Sequence, residues 1–193
     1  MSQKKLKFIH VGDVHLGKYD RGLDVRFHDN SNALKQVIKY AIDNKVDCVL
    51  CSGDFFETYR PTPDAMMHAI VLLNRLKNAN IPFILTEGNH DMRRGTHLNS
   101  VLNILEAAGV AKHVRVVPID KGDILEHTEV NGIKIYGLGY IRGANNKAAL
   151  EKYASMIDGK ENIILIHIGI TGSDQKSKDV DSINGQTLAN VFK

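Results

Sequence analysis

Two patterns of apolar positions take turns along the first half of the chain: short unbroken runs, and longer stretches in which apolar residues recur every three or four positions. The first run, residues 6–11, closes at Gly12-Asp13, and helical spacing then follows over 24–44 through Val25, Leu34, Val37, Ile38 and Ala41. A second run, 48–52, precedes Thr62-Pro63, an N-cap residue followed by proline at the first helical position. Met66, Ile70, Leu73 and Leu76 continue that helix. A third strand is predicted at 83–86 after the break Asn80-Ile81-Pro82, and a third helix over about 98–108 ahead of Gly109.

The second half changes character. Residues 114–117, 124–130 and 133–138 read as strands, with Asn131-Gly132 between the last two, the strongest short hairpin signal. A helix over about 147–157 and a fully apolar strand at 163–166 follow. Residues 171–186 are rich in Ser, Asp, Lys and Gly and predict a polar loop, placed after a strand end where a lid would sit. Strands alternating with helices predict an α/β layered fold, and the hairpin predicts mixed β-sheets flanked by helices. No internal repeat or linker interrupts the pattern, so one compact domain is expected over 1–193.

Composition changes this picture little. A chain of 193 residues with 43% hydrophobic content is long enough to bury a substantial core. Lys and Arg number 25 against 22 Asp and Glu, and a net charge of +3 favours a polyanion only if the excess gathers on one face. The apolar run after the basic N-terminus is shorter than a signal peptide needs, and no stretch approaches the roughly 20 apolar residues of a membrane span. A soluble cytoplasmic protein without a membrane partner is the expectation. Cys48 and Cys51 have Cys-x-x-Cys spacing but lie in an apolar run that reads as a buried strand. Residues three apart on a strand face opposite ways, so two inert core thiols are expected.

The chemistry lies in what ends the strands. Gly12-Asp13-Val14-His15 ends the first, Gly53-Asp54 the second, Gly88-Asn89-His90-Asp91 the third and His167 the last. The carboxyl ends of strands in open α/β sheets form the ligand crevice, so four such ends are expected to converge. Asp, His and Asn supply oxygen and nitrogen donors without thiolate, a set suited to Mn²⁺, Fe²⁺ or Zn²⁺. Two such ions would clamp a phosphate and activate water, and phosphate ester hydrolysis fits that hardware. Gly12, Gly53 and Gly88 stand where a chain must turn sharply or pass close to a neighbour without a Cβ. Turn chemistry alone would account for any one of these Asp and Asn residues; their order at successive strand ends is what points to a site.

The segments Gly12-Asp13-Val14-His15-Leu16-Gly17, Gly53-Asp54-Phe55-Phe56-Glu57 and Gly88-Asn89-His90-Asp91 resemble the calcineurin-like metallophosphoesterase superfamily. Within it, Asp13 to Gly17, the following Asp24-Val25-Arg26 and Arg60-Pro61-Thr62-Pro63 look most like the SbcD, or Mre-eleven, nuclease family of double-strand-break repair. The resemblance implies two divalent ions, Mn²⁺ foremost with Mg²⁺, Fe²⁺ or Zn²⁺ as alternatives. It makes Asp13 and His15 ligands of one ion, Asn89 and His167 ligands of the other, and Asp54 the bridge. His90 becomes the catalytic histidine and Asp91 the residue that orients it. DNA is the implied substrate, with Lys18, Arg21, Arg26, Arg60, Arg93 and Arg94 placed to hold its phosphates. The implied partner is an SbcC-type coiled-coil ABC ATPase, and Met66, Met67, Ile70 and residues 98–105 lie where that family forms homodimers.

The sequence also departs from the family. The superfamily closes its metal set with a Gly-His-x-His motif, whereas the last histidine here is His167, so the resemblance implies a nuclease domain incomplete at its C-terminus, without the capping DNA-binding domain. Each ion then lacks one ligand, and weak metal binding with little activity is expected of these 193 residues. Glu57 stands where many members carry a histidine, leaving the balance of exonuclease and endonuclease activity open. His10, His28, His68, His97, His113 and His127 match no ligand position and read as surface or packing residues. Gly137-Leu138-Gly139-Tyr140-Ile141-Arg142 lacks the strand-turn-helix setting of a dinucleotide loop. The alternatives are a phosphatase or another phosphodiesterase of the same superfamily, and a non-catalytic DNA-binding or scaffold subunit.

Overall fold

The computed structural model describes residues 5–18, 25–93, 99–141, 146–158, 161–171 and 182–192; Arg21 and Arg94, expected to hold DNA, lie outside the described residues, and of Arg26 only the backbone is described. Strands β1 (Phe8–Val11), β2 (Cys48–Cys51), β3 (Phe83–Leu85) and β4 (Lys112–His113) form a parallel sheet in that order. Helices α1 (Val25–Asp43), α2 (Pro63–Asn78) and α3 (Leu102–Ala107) connect them. Helix α2 starts as its sequence dictates: the Thr62 hydroxyl accepts from the Ala65 amide at 3.2 Å, and Pro63 occupies a position whose N–H would have no partner.

A hairpin, β5 (Val116–Ile119) and β6 (Gly122–Leu125), leads into a second sheet of β7 (His127–Val130), β8 (Ile133–Tyr140) and β9 (Asn162–His167). In it β7 pairs antiparallel and β9 parallel to β8, so the sheet is mixed. Asn131 and Gly132 both take positive φ at the β7–β8 turn, as an Asn-Gly hairpin requires. Helix α4 (Asn146–Ala154) precedes β9, and β10 (Gly169–Thr171), β11 (Ser182–Asn184) and α5 (Gly185–Val191) follow it.

Alternation along the strands builds the layers. Val49, Cys51, Phe83 and Leu85 face the helices of the first half, where Ile38, Leu73, Leu76 and Leu102 complete one core. Cys48, Leu50 and Ile84 face the other way and meet Ile135 and Leu165 of the second sheet. Tyr136 and Leu138, on the far side of that sheet, pack under Leu150 of α4 and Leu188 of α5. The result is helix, sheet, sheet, helix, an α/β architecture with flanking helices on both sides. Cys48 and Cys51 thus lie in different cores, both free and buried, and burial pushes the Cys48 thiol up to about 11 and Cys51 higher still.

The observed elements correct several predicted ones. The strand expected at 114–117 divides between two sheets, with β4 ending at His113 and β5 beginning at Val116. The strand expected at 124–130 is broken at Glu126, whose amide binds Arg115 O. Helix α3 starts at Leu102 and spans six residues. Of the stretch 171–186 expected as a polar loop, Thr171 ends β10, residues 182–184 form β11, which pairs parallel with β10, and 185–186 open α5, while 172–181 lie outside the described residues. Among the described residues no helix is long and apolar enough to cross a membrane.

Candidate metal centre

Strands β1, β2 and β3 end side by side because they pair in parallel, and β9 of the second sheet brings His167 to the same end. The loops after β1 and β2 are joined by main-chain bonds: Asp13 N to Gly53 O, His15 N to Asp54 O, and Leu16 N to Phe55 O. The loop after β3 is tied on by the His90 amide, which donates to Asp54 Oδ1 at 2.9 Å. Three of the residues so placed, Asp13, His15 and Asp54, have left-handed backbones with φ of 52°, 48° and 50°.

The side chains converge on Asp54, which is buried. Its Oδ2 stands 3.5 Å from His167 Nε2, 3.7 Å from His15 Nε2 and 4.0 Å from His90 Nε2. His15 Nε2 is also 3.7 Å from Asp13 Oδ1, and His167 Nε2 is 3.1 Å from Asn89 Oδ1. Among the described residues, two groups have donor atoms that all lie within 4.8 Å of one another, His15 with Asp54 and His90, and Asp13 with Asp54 and His167. Asp54 belongs to both. These groupings cut across the pairing implied by the resemblance, in which Asp13 and His15 share one ion; all six residues nevertheless stand in one cluster.

Glycines make the close packing feasible. A Cβ at Gly88 would fall 2.0 Å from Asp54 Oδ1 and 2.2 Å from its amide nitrogen. At Gly53, with φ +106°, it would fall 2.6 Å from His167 Nδ1.

The donor chemistry fits a cation. The Nδ1–H of His167 donates to Ser52 O at 3.0 Å, which turns the Nε2 lone pair toward Asn89 Oδ1 and Asp54 Oδ2. With that ring neutral, three acceptors face one another, an arrangement that a positive charge relieves, either a second proton on His167 or a cation. A ring nitrogen bonded to a main-chain carbonyl is also how metal-binding histidines are commonly held. His90 follows the same rule, its Nδ1 donating to Glu57 O at 2.6 Å. Burial works against charge on Asp54, but hydrogen bonds from His167 and the His90 amide outweigh it and hold the carboxyl below its ordinary range. For His167, burial opposes protonation while the Asp54 carboxylate favours it more strongly, and its proton affinity is raised.

Asp91, expected to orient His90, is placed differently. Its Oδ2 accepts from the Phe55 and Gly88 amides, each at 3.3 Å, so it braces the two loops, while Glu57 holds the His90 ring. Burial, with a smaller push from Asp54, raises the Asp91 carboxyl to about 7. Glu57 was legible as a departure from the family pattern but not as a contact of His15 and His90; only the folded loop brings them together.

Of the cations expected to hold DNA, Lys18 lies 3.7 Å from Glu57 Oε2, and Arg60 and Arg93 line a common cavity of about 460 Å³ with Tyr59 and Met66. The Arg60 guanidinium stacks 5.2 Å from the centre of the Tyr59 ring. Arg93 also lines a second cavity of about 480 Å³, with Thr86, Glu87, Arg115 and Tyr140.

With this geometry in place, the calcineurin-like phosphoesterase family model matches residues 6–191. The chain belongs to the calcineurin-like phosphoesterase family. Proteins of that family have a two-metal site, and the two donor groups that share Asp54 are candidates for one here. Curated relatives include the DNA double-strand break repair protein Mre11 of Saccharolobus solfataricus, 31% identical over 86% of this chain and 42% of the relative. Its counterpart in Sulfolobus acidocaldarius is 32% identical over the same shares. The chain therefore spans under half the length of these two relatives. A Thermus thermophilus crystal structure superimposes with a TM-score of 0.53 at 13% identity, covering 97% of this chain and 78% of that one, and supports the fold alone.

Proposed function

We propose that the chain is the nuclease domain of a two-metal phosphodiesterase that acts on DNA in double-strand-break repair, in the cytoplasm. The observation that carries the reading is the pair of donor groups sharing Asp54 at the ends of β1, β2, β3 and β9. The choice of DNA rests on the Mre11 relatives.

In this proposal Asp13 and His15 hold one ion, Asn89 and His167 the other, and Asp54 reaches both, with Mn²⁺ the preferred metal. Bound divalent ions supply positive charge to a phosphate and an activated water. His90 presents Nε2 toward Asp54 Oδ2 because its Nδ1 is held by Glu57 O. From there, with Nε2 protonated as well, it stabilises charge on the phosphate or protonates the departing sugar oxygen. Asp91 fixes the loops that carry His90 and Asp54. Lys18, Arg60 and Arg93, with Arg21, Arg26 and Arg94, hold backbone phosphates.

An SbcC-type ATPase is the proposed partner. Self-association is proposed through the outer face of α2 and α3, where Met67, Val71 and Ile104 are exposed. Digestion of duplex DNA with Mn²⁺, run beside hydrolysis of a simple phosphomonoester, tests the substrate. Slow metal-dependent loss of DNA ahead of the phosphomonoester is expected. Faster turnover of the phosphomonoester would make the chain a phosphatase instead.

A further inference from the structure

Glu57 touches two rings of the cluster at once, one through each end of the residue. Its carboxylate oxygen Oε2 lies 2.8 Å from His15 Nδ1. Both atoms are closed off from water, and among the described residues neither makes a well-aligned hydrogen bond, so theirs is a close ion-pair contact; Lys18 Nζ lies 3.7 Å from the same carboxylate oxygen. Its main-chain carbonyl accepts from His90 Nδ1 at 2.6 Å. The two rings also meet edge to face, with centroids 4.8 Å apart and planes at 89°. Each therefore limits the other's rotation.

A neutral imidazole carries one N–H, and the bond made by one nitrogen decides which it is. At 2.8 Å a nitrogen lone pair and a carboxylate oxygen would repel, so the close contact calls for the proton on the nitrogen facing Glu57 Oε2. That leaves the His15 Nε2 lone pair directed at Asp54 Oδ2, 3.7 Å away, and to Asp13 Oδ1 at the same distance. A ligand ring backed by a carboxylate is also a more basic donor.

We propose that Glu57 is a positioning residue of this centre: its carboxylate fixes His15, and its carbonyl fixes His90, as Nδ1–H tautomers with both Nε2 atoms turned toward Asp54. The inference rests on the metal-centre reading given above. The two ends of the residue make separate demands. Shortening the side chain releases His15 and leaves His90 held, because its partner is main chain.

Nitrogen-15 NMR of labelled histidines in the metal-free chain, with Mn²⁺ calorimetry on the same samples, separates these roles. The unsubstituted chain is expected to show Nδ1–H at both His15 and His90. In Glu57→Ala, His15 shifts toward the Nε2–H form, His90 does not, and Mn²⁺ affinity falls about 10- to 100-fold. Glu57→Gln keeps an accepting oxygen at nearly the same place, so it restores the tautomer and most of the affinity. An Nε2–H tautomer at His15 in the unsubstituted chain would overturn the proposal, whatever the variants do. Equal loss in the Ala and Gln variants would overturn it as well, since packing or charge would then be responsible. If Asp54→Asn abolishes Mn²⁺ binding and Glu57→Ala leaves it unchanged, the Glu57 inference alone falls. If the unsubstituted chain takes up no Mn²⁺, the metal-centre reading falls, while the tautomer measurement still stands.

Discussion

Asp13, His15 and Asp54 hold backbone conformations that cost a residue with a Cβ of the order of 1–3 kcal/mol each. Asn80 and Asn131 share such φ values, and Asn, Asp and His visit this region more readily than other residues with a Cβ, which keeps the cost toward the lower end. The folded loops maintain this strain through the paired bonds of β1 and β2 and the Asp54 carboxylate under the His90 amide. Gly88 is the weak point of that scaffold. A Gly88→Ala variant must move the Asp54 main chain or side chain, and a loss of about 2–4 kcal/mol is expected in urea unfolding. The same variant should lose Mn²⁺ uptake in calorimetry, and unchanged stability would show that the loop yields freely. The glycines and the acids after them were legible because a Gly-Asp or Gly-Asn pair at a strand end is a local signal. The Glu57–His15 contact was not, since it joins residues 42 positions apart through two loops.

Strands and helices were read well where a pattern ran long. The 3.6-residue period of α1 and α2 and the Asn131-Gly132 turn fixed these elements nearly to the residue, and Thr62→Ala should cost about 1 kcal/mol by removing the cap. Continuous apolar runs misled where the chain changes sheets. Val114 completes the pairing of β4 against Leu85 and Val116 opens the hairpin, and a period of two does not show such a transfer. His113 at that transfer is fully buried, with Glu87 Oε1 3.7 Å from Nε2 and, among the described residues, no hydrogen bond to either ring nitrogen. Burial first, then the charges of Arg115 and Lys112 against the opposing Glu106, depress it to about 4. The unfolded histidine titrates near 6.5. Between pH 6.5 and 4 the unfolded chain therefore binds the additional proton, and stability falls as pH drops, by ~3 kcal/mol at the lower end. His113→Leu removes this dependence. Urea midpoints at pH 7 and pH 4.5 should converge in the variant relative to the unsubstituted chain, and an unchanged difference would assign the acid sensitivity to other groups.

At the scale of the molecule, two sheets packed face to face with helices outside bring strand ends distant in sequence to one cluster. His167 reaches Asn89 and Asp54 because it ends β9 of the second sheet, which packs against the first. That arrangement was foreseen in outline, since four strands ended in donors, but the layer that supplies each donor came from packing. The exposed Met67, Val71 and Ile104 make a second claim on the whole chain. Sedimentation at micromolar concentration should show a dimer that Met67→Glu dissociates, and a monomer at that concentration would remove self-association. The central claim is that two ions share Asp54. Calorimetric titration of Mn²⁺ into the chain and into Asp54→Asn tests it most directly: loss of both binding events in the variant is expected, and an isotherm unchanged by the substitution would contradict the account.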